Sequence, residues 1–138
     1  MATSELAILV GRVLFGGYFA FSGLNHFLST GDLAGWAEAK GAPYAEALVY
    51  LSGLMLVAGG LGVIAGAYPA VSLGLIGVFM AVVTPWFHDF WSLEGEDREE
   101  QMTHFLKNLA LFGAVLVLFG AGATVFGPYA AGVGLGLL

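Results

Sequence analysis

The sequence contains no cysteine, and this absence removes one group of functions. Without thiols the chain forms no disulfide, binds no metal through thiolate and ligates no iron–sulfur cluster through sulfur. Basic residues are also scarce, with 4 lysines and arginines against 10 aspartates and glutamates. Because this leaves no basic patch, nucleic acid is disfavoured as a partner. Charged residues of both signs make up only 10% of the chain, well below the roughly 25% of soluble domains.

Most of the chain consists of long apolar stretches. Four of them, at about residues 6–28, 45–67, 71–90 and 102–126, are each close to the roughly 20 residues that cross ~30 Å of hydrocarbon. The mean hydropathy is +0.88. A soluble all-α core would need charged helix faces, which these stretches lack. The sequence therefore predicts an all-α fold, a transmembrane four-helix bundle that forms one domain over residues 1–138.

The connections between the spans carry their own patterns. Residues 32–40 predict a short interfacial helix, with Asp32 as its cap, and Pro43 is placed to open the second span. The acidic segment at residues 94–100 predicts a solvated loop before the fourth span. The apolar tail at residues 129–138 is too short to span, so we expect it to lie along the surface or cap the bundle.

An even number of crossings places both termini on one side, here called side A, and the turns after the first and third spans on the other, side B. All four spans bring polar side chains to the level of side B. Ionisable groups at such depth are costly unless paired, and they usually mark function. Several have an ordinary alternative as interfacial or snorkelling side chains. The candidate site residues at this level are Asn25, His26, Thr84, His88, Asp89, His104, Lys107 and Asn108.

Arg12 is the exception, because it precedes His26 by 14 residues and so lies about 21 Å toward side A. The sevenfold spacing of Arg12, Phe19 and His26 places them on one face of the first span. If that face points inward, Arg12 and the side B residues line one groove. Arg12 therefore joins the candidate site, and Asp89 or Glu46 is the expected partner of Lys107.

Three interpretations of this groove compete. In the first it binds a quinone, with His26 and His88 as donors or proton relays and with Lys107 and Asn108 as carbonyl contacts. In the second the histidines and a carboxylate hold a metal or a haem, although no His-x-x-His or His-Glu-x-x-His spacing favours it. In the third the polar groups are interhelical hydrogen bonds, and the protein is a scaffold, chaperone or assembly factor.

Three segments resemble the DoxX family of integral membrane proteins. Residues 11–27 resemble its first helix, residues 84–91 its threonine–aromatic–histidine–x–Phe–Trp segment, and residues 104–113 its Lys-Asn-rich fourth helix. The resemblance implies a four-helix membrane protein of the type linked to thiosulfate:quinone oxidoreductase, other membrane redox complexes and oxidative-stress tolerance. More distant relatives act as membrane chaperones or cargo receptors.

Two positions depart from the family pattern. Met55 stands where many members carry an acidic residue, and His26 stands where many carry lysine. We expect a multi-pass protein of the cell membrane, in contact with lipid, that serves as a quinone- or redox-associated subunit rather than as an enzyme alone. Quinone is the favoured cofactor. A redox enzyme and a second copy of the chain are the expected partners, and a non-catalytic scaffold is the alternative.

Overall fold

A computed structural model describes residues 2–127, and every described element is a helix. The four long helices are α1 (Thr3–Leu28), α3 (Ala45–Ala65), α4 (Pro69–Phe87) and α5 (Gly95–Ala121). The short ones are α2 (Thr30–Ala39), α6 (Ala123–Phe126) and a 3₁₀ turn at Phe90–Ser92. The predicted tail at residues 129–138 lies outside the described residues.

The predicted architecture is confirmed. Four segments are long and apolar enough to cross a bilayer: Thr3–Leu28, Ala45–Ala65, Pro69–Ser92 and Gly95–Ala121. The short helix between the first two spans is present as α2. Because consecutive spans run in opposite directions, the ends of α1 and α4 and the starts of α3 and α5 meet on side B.

The acidic segment before the fourth span is helical, which corrects the predicted loop. Helix α5 begins at Gly95 rather than near residue 102. Gly95 has a φ of +62°, a left-handed conformation that glycine adopts without strain. Glu96 and Asp97 then fill the first turn, where carboxylates are stabilised by the unpaired backbone N–H groups. Helix formation therefore extends into water on side B.

Two predicted helix starts also shift. Helix α2 begins at Thr30, so Asp32 lies inside its first turn and is not its cap. Helix α3 begins at Ala45 after Tyr44, whose φ of 50° is left-handed, so Pro43 lies in the preceding turn. Pro69 instead opens a helix, because it is the first residue of α4. The first N–H groups of a helix have no intrahelical acceptor, so a proline there loses no hydrogen bond.

Helices α1 and α3 pack at very close range through paired glycines. A Cβ added to Gly60 would lie 2.4 Å from the carbonyl oxygen of Gly16. A Cβ added to Gly23 would lie 2.6 Å from the carbonyl oxygen of Gly53. Both pairs repeat after seven residues on each antiparallel helix, so they mark one continuous seam. Close backbone approach of this kind is how helices associate in lipid.

The four spans form an open arrangement rather than a closed ring. Helix α1 packs along α3, α3 along α4 and α4 along α5, whereas α1 and α5 have no extended contact within the described residues. The core lies where α1, α3 and α4 meet, around the fully buried Leu56, Val63, Leu73 and Ile76. Phe126 of α6 joins this core and covers its side A end. A gap between α1 and α5 remains toward side B.

Candidate functional site

A cavity of about 530 Å³ occupies the side B half of the bundle. Residues from α1, α2, α3, α4 and α5 line it, and most of its lining is apolar. Because α1 and α5 do not pack on each other, the cavity has no helix–helix wall between them and opens sideways. The polar side chains that line it come from all four long helices or their ends: Ser22, Asn25, His26, Ser52, His88, His104, Lys107 and Asn108.

His26 lies on the α1 wall and is held by α3. Its Nδ1 is 2.8 Å from Ser52 Oγ and 3.3 Å from the carbonyl oxygen of Val49. The Ser52 hydroxyl itself donates to the Val49 carbonyl oxygen at 3.0 Å. On its other side the imidazole meets the Phe79 ring edge-on, with centroids 5.7 Å apart. The ring therefore has one fixed orientation at the edge of the cavity.

His88 and His104 form a stacked pair on the opposite wall. Their ring centroids are 5.3 Å apart and their planes differ by 28°. His88 Nδ1 lies 2.7 Å from Gln101 Oε1, which as a carbonyl oxygen accepts its hydrogen bond. His104 Nε2 is 4.0 Å from Glu100 Oε1, at the water-exposed start of α5. The pair thus connects the cavity with the acidic surface of side B.

Helix α2 covers the side B end of the cavity with Trp36. The indole lies edge-on to Phe87, with centroids 5.1 Å apart, and 5.7 Å from the His88 ring. Leu33 and Ala37 of the same helix also line the cavity. The predicted interfacial helix is therefore a cover over the site as well as a connection between two spans.

Lys107 and Asn108 present hydrogen-bond donors from α5. Lys107 Nζ reaches toward α1 and lies 5.8 Å from the centre of the Tyr18 ring, at the gap between the two helices. Asn108 is buried, and its side-chain amide has no hydrogen-bond partner among residues 2–127. Because Asn108 lines the cavity, this amide is accessible to a ligand there.

Three predicted site residues do not line this cavity. Arg12 is fully buried near side A, where Nε donates to the carbonyl oxygen of Val63 at 3.0 Å and Nη2 to that of Ile64 at 2.7 Å. These carbonyls belong to the last turn of α3, where no following helical turn supplies N–H groups, although the Val63 oxygen also accepts from the Gly66 N–H at 3.3 Å. Its guanidinium carbon lies 5.7 Å from the centre of the Phe126 ring. Arg12 therefore caps α3 and closes the side A end of the bundle.

Asp89 also has a structural partner. Its carboxylate forms an ion pair with Lys40 and accepts a hydrogen bond from Ser92 Oγ at 2.7 Å. Trp86 Nε1 donates to the backbone carbonyl oxygen of Lys40 at 2.9 Å. The expected pairing of Asp89 with Lys107 is thus replaced by a clasp that joins the α2–α3 turn to the end of α4.

Thr84 is buried beside the cavity without lining it, and its Oγ1 has no hydrogen-bond partner within the described residues. Six predicted residues do share the cavity: Asn25, His26, His88, His104, Lys107 and Asn108. Sequence reasoning missed Ser52, Gln101 and Trp36. Ser52 carried a usable signal, since it is a rare polar residue within an apolar span. Within residues 2–127, no group of three or more His, Asp or Glu side chains is arranged to hold a metal ion.

Comparison with known proteins decides the family. The DoxX family model matches residues 7–89, more than half of the chain. The chain belongs to the DoxX family. In this DoxX protein the match covers α1, α2, α3 and α4, and therefore most of the cavity wall, whereas α5 with His104, Lys107 and Asn108 follows it. No curated protein and no solved structure shows significant similarity to the chain.

Proposed function

We propose that this DoxX protein binds the ring of a quinone in the side B cavity and serves as a quinone-associated subunit of a membrane electron-transfer complex. The observation that carries the proposal is the cavity lining, which is apolar over most of its surface and includes a few polar side chains, among them the donors Lys107 and Asn108. Small-molecule sites typically measure 300–1,000 Å³ and combine apolar walls with a few placed polar groups. At about 530 Å³ the cavity is of that size.

The polar side chains of the cavity match the chemistry of a quinone ring. A quinone has two carbonyl oxygens, which accept hydrogen bonds, on a flat apolar ring. The Lys107 ammonium and the Asn108 amide are donors at the cavity wall, and the amide has no competing partner among the described residues. Trp36, Phe79 and Phe87 supply aromatic surface around the same space. The ring therefore finds both its polar and its apolar contacts in one place.

The sideways opening suits a ligand that arrives from the bilayer. Quinones partition into lipid, and an isoprenoid tail needs an exit into hydrocarbon. The gap between α1 and α5 gives such an exit without crossing water. Electrons require a second protein in this proposal, because the chain has no cysteine to exchange them through a dithiol. We therefore assign the electron-exchanging step to a redox enzyme partner at the cell membrane.

Quinone binding to the protein in nanodiscs tests this function. We expect a short-chain benzoquinone to bind, and Asn108→Ala and Lys107→Ala each to weaken its affinity roughly tenfold, the loss of about 1.4 kcal/mol. Leu106→Ala is the matched control, since Leu106 neighbours Lys107 on α5 but is exposed and does not line the cavity. Equal affinities in wild type, both site variants and the control would remove the proposal.

A non-catalytic assembly factor is the second candidate, and α5 favours it. Only Asn108 and Val115 of this helix are buried. Its exposed apolar side chains include Leu109, Leu116, Val117 and Phe119. Such a surface serves lipid, a partner helix or a second copy of the chain. Copurification of one partner that is lost when Leu116 and Val117 are changed to larger residues, with quinone affinity unchanged, would support this function.

A further inference from the structure

The contacts of His26 favour a proton on Nδ1. A carbonyl oxygen only accepts hydrogen bonds, so Nδ1 bonds to the Val49 carbonyl oxygen, 3.3 Å away, only when Nδ1 carries the proton. Ser52 Oγ lies 3.0 Å from the same carbonyl oxygen and donates to it in this arrangement. Its oxygen then accepts from Nδ1 at 2.8 Å. A proton on Nδ1 satisfies all three contacts at once.

A neutral imidazole with its proton on Nδ1 has a bare lone pair on Nε2. The two nitrogens lie on opposite sides of the ring, so Nε2 points away from α3 when Nδ1 is bound to it. His26 lines the cavity, and Nε2 has no hydrogen-bond partner among the described residues. The α1 wall therefore presents an acceptor to a ligand, not the donor that the sequence suggests for this histidine.

The two walls of the cavity thus offer different hydrogen-bonding groups. On α5, Lys107 offers only donors and Asn108 offers donors and an acceptor, and their donors suit a carbonyl or phenolic oxygen. His26 on α1 offers an acceptor, which needs a ligand O–H. An oxidised quinone has no O–H group and leaves Nε2 unsatisfied. A hydroquinone has two, and one of them satisfies Nε2 while the other oxygen faces the donors.

We infer that His26 is a specificity-determining residue that makes the cavity select the reduced ring, a hydroquinone, over the oxidised quinone. This inference rests on the proposed function, because it concerns the same cavity and the same class of ring. Ser52 is the positioning residue, since its oxygen fixes the proton on Nδ1 and so keeps Nε2 available. The selection requires only a hydrogen bond and no electron transfer within this chain.

Two substitutions separate the two nitrogens. His26→Asn places an amide nitrogen near the position of Nδ1 and keeps the contact with Ser52, but leaves no atom at the position of Nε2. His26→Gln places an amide near the position of Nε2, where its oxygen still accepts. Affinities for a short-chain benzoquinone, its hydroquinone and the dimethyl ether of that hydroquinone are measured anaerobically in nanodiscs. A buffer near pH 8 keeps imidazole neutral, since its unperturbed pKa is about 6.5.

The expected result is a preference for hydroquinone over quinone that falls roughly tenfold in His26→Asn and is kept within about threefold in His26→Gln. The dimethyl ether, which has no O–H, should bind no better than the quinone. Ser52→Ala retains the imidazole and serves where His26→Asn does not fold. It should lower the preference for hydroquinone about threefold.

A spectroscopic measurement tests the same assignment without any ligand. The chain has 3 histidines, so ¹⁵N NMR of histidine-labelled protein in bilayers gives few signals. His88 donates from Nδ1 to Gln101 Oε1, so we expect two rings with protonated Nδ1 and bare Nε2, and the signals of one of them should vanish in His26→Asn. A proton on Nε2 of His26, or equal hydroquinone preference in wild type and His26→Asn, overturns the inference and leaves quinone binding intact. Binding of neither form by wild type overturns the proposed function and the inference with it.

Discussion

The seam between α1 and α3 gives the sharpest prediction about the fold, through Gly60→Ala. A Cβ on Gly60 would lie 2.4 Å from the Gly16 carbonyl oxygen and 2.5 Å from the Ala20 nitrogen, whereas ordinary contact begins at 3.4 Å. Both neighbours are backbone atoms, so no side-chain rotation relieves the clash. The helices must instead separate by about 1 Å, which loosens the dispersion contacts along the whole seam.

The size of the effect follows from two opposing contributions. Overpacking a tightly packed interface costs about 1–3 kcal/mol, while replacing a helical glycine by alanine returns about 0.5–1 kcal/mol of backbone entropy. Gly17→Ala isolates the second contribution, because a Cβ on Gly17 meets nothing within 4 Å. We therefore expect Gly60→Ala to be less stable than Gly17→Ala by roughly 1–3 kcal/mol.

Reversible unfolding in mixed detergent micelles, followed by loss of helical circular dichroism, measures this difference. Gly23→Ala should behave like Gly60→Ala, because its Cβ would lie 2.6 Å from the Gly53 carbonyl oxygen. Gly113→Ala on α5 should behave like Gly17→Ala, since nothing lies within 4 Å of its Cβ. If the four variants have the same free energy of unfolding, the helices do not meet at this register and the reasoning fails.

Three further predictions concern the contacts around the cavity. Arg12→Met should lower the free energy of unfolding by about 2–5 kcal/mol in the same assay, because it removes two charge-assisted hydrogen bonds from the last turn of α3; a change below 1 kcal/mol would argue against the cap. Lys40→Ala should speed amide hydrogen exchange in the α2–α3 turn severalfold without changing exchange in α1, and equal rates would show that the ion pair with Asp89 does not hold this turn. Trp36→Ala should weaken quinone binding more than Tyr44→Ala, since Trp36 lines the cavity and Tyr44 is exposed outside it; equal losses would count against α2 as a cover.

Depth along the spans was predictable from the sequence, because hydropathy fixes where each helix crosses the bilayer. Knowing the depth was enough to predict that His26, His88 and Lys107 lie at one level, and the structure places all three on one cavity. The inward face shared by Arg12 and Phe19 was also predictable, since both are fully buried. Periodicity and hydropathy are properties of a single helix. They therefore predict the depth of a residue in the bilayer and the helix face on which it lies, without information on the neighbouring helices.

Partners across helices were not predictable in the same way. Arg12 faces inward as expected, yet it binds α3 carbonyl groups, because the last turn of α3 ends at its level and has acceptors to offer. Asp89 binds Lys40 because the α2–α3 turn folds back over the end of α4. Both outcomes depend on the lengths and directions of connecting segments. Knowing which opposite charges lie at the same depth does not determine which of them pair.

The two departures from the family pattern line the same cavity and change its charge together. His26 stands where the resemblance implies lysine, and Met55 stands where it implies an acid. Met55 follows Ser52, the partner of His26, by three residues, and both side chains line the cavity from α3. We interpret the two departures as a joint replacement. His26 replaces a cation and Met55 replaces an anion, and both side chains are uncharged when the histidine is neutral.

A double-mutant cycle tests this interpretation. His26→Lys alone places a cation without a carboxylate in the membrane interior and should destabilise the protein by about 1–3 kcal/mol. Met55→Glu alone should do the same. The double variant should recover at least half of the summed loss, because each new charge then has a partner across the cavity. Additive losses would mean that the two side chains do not reach each other, and this interpretation would fail.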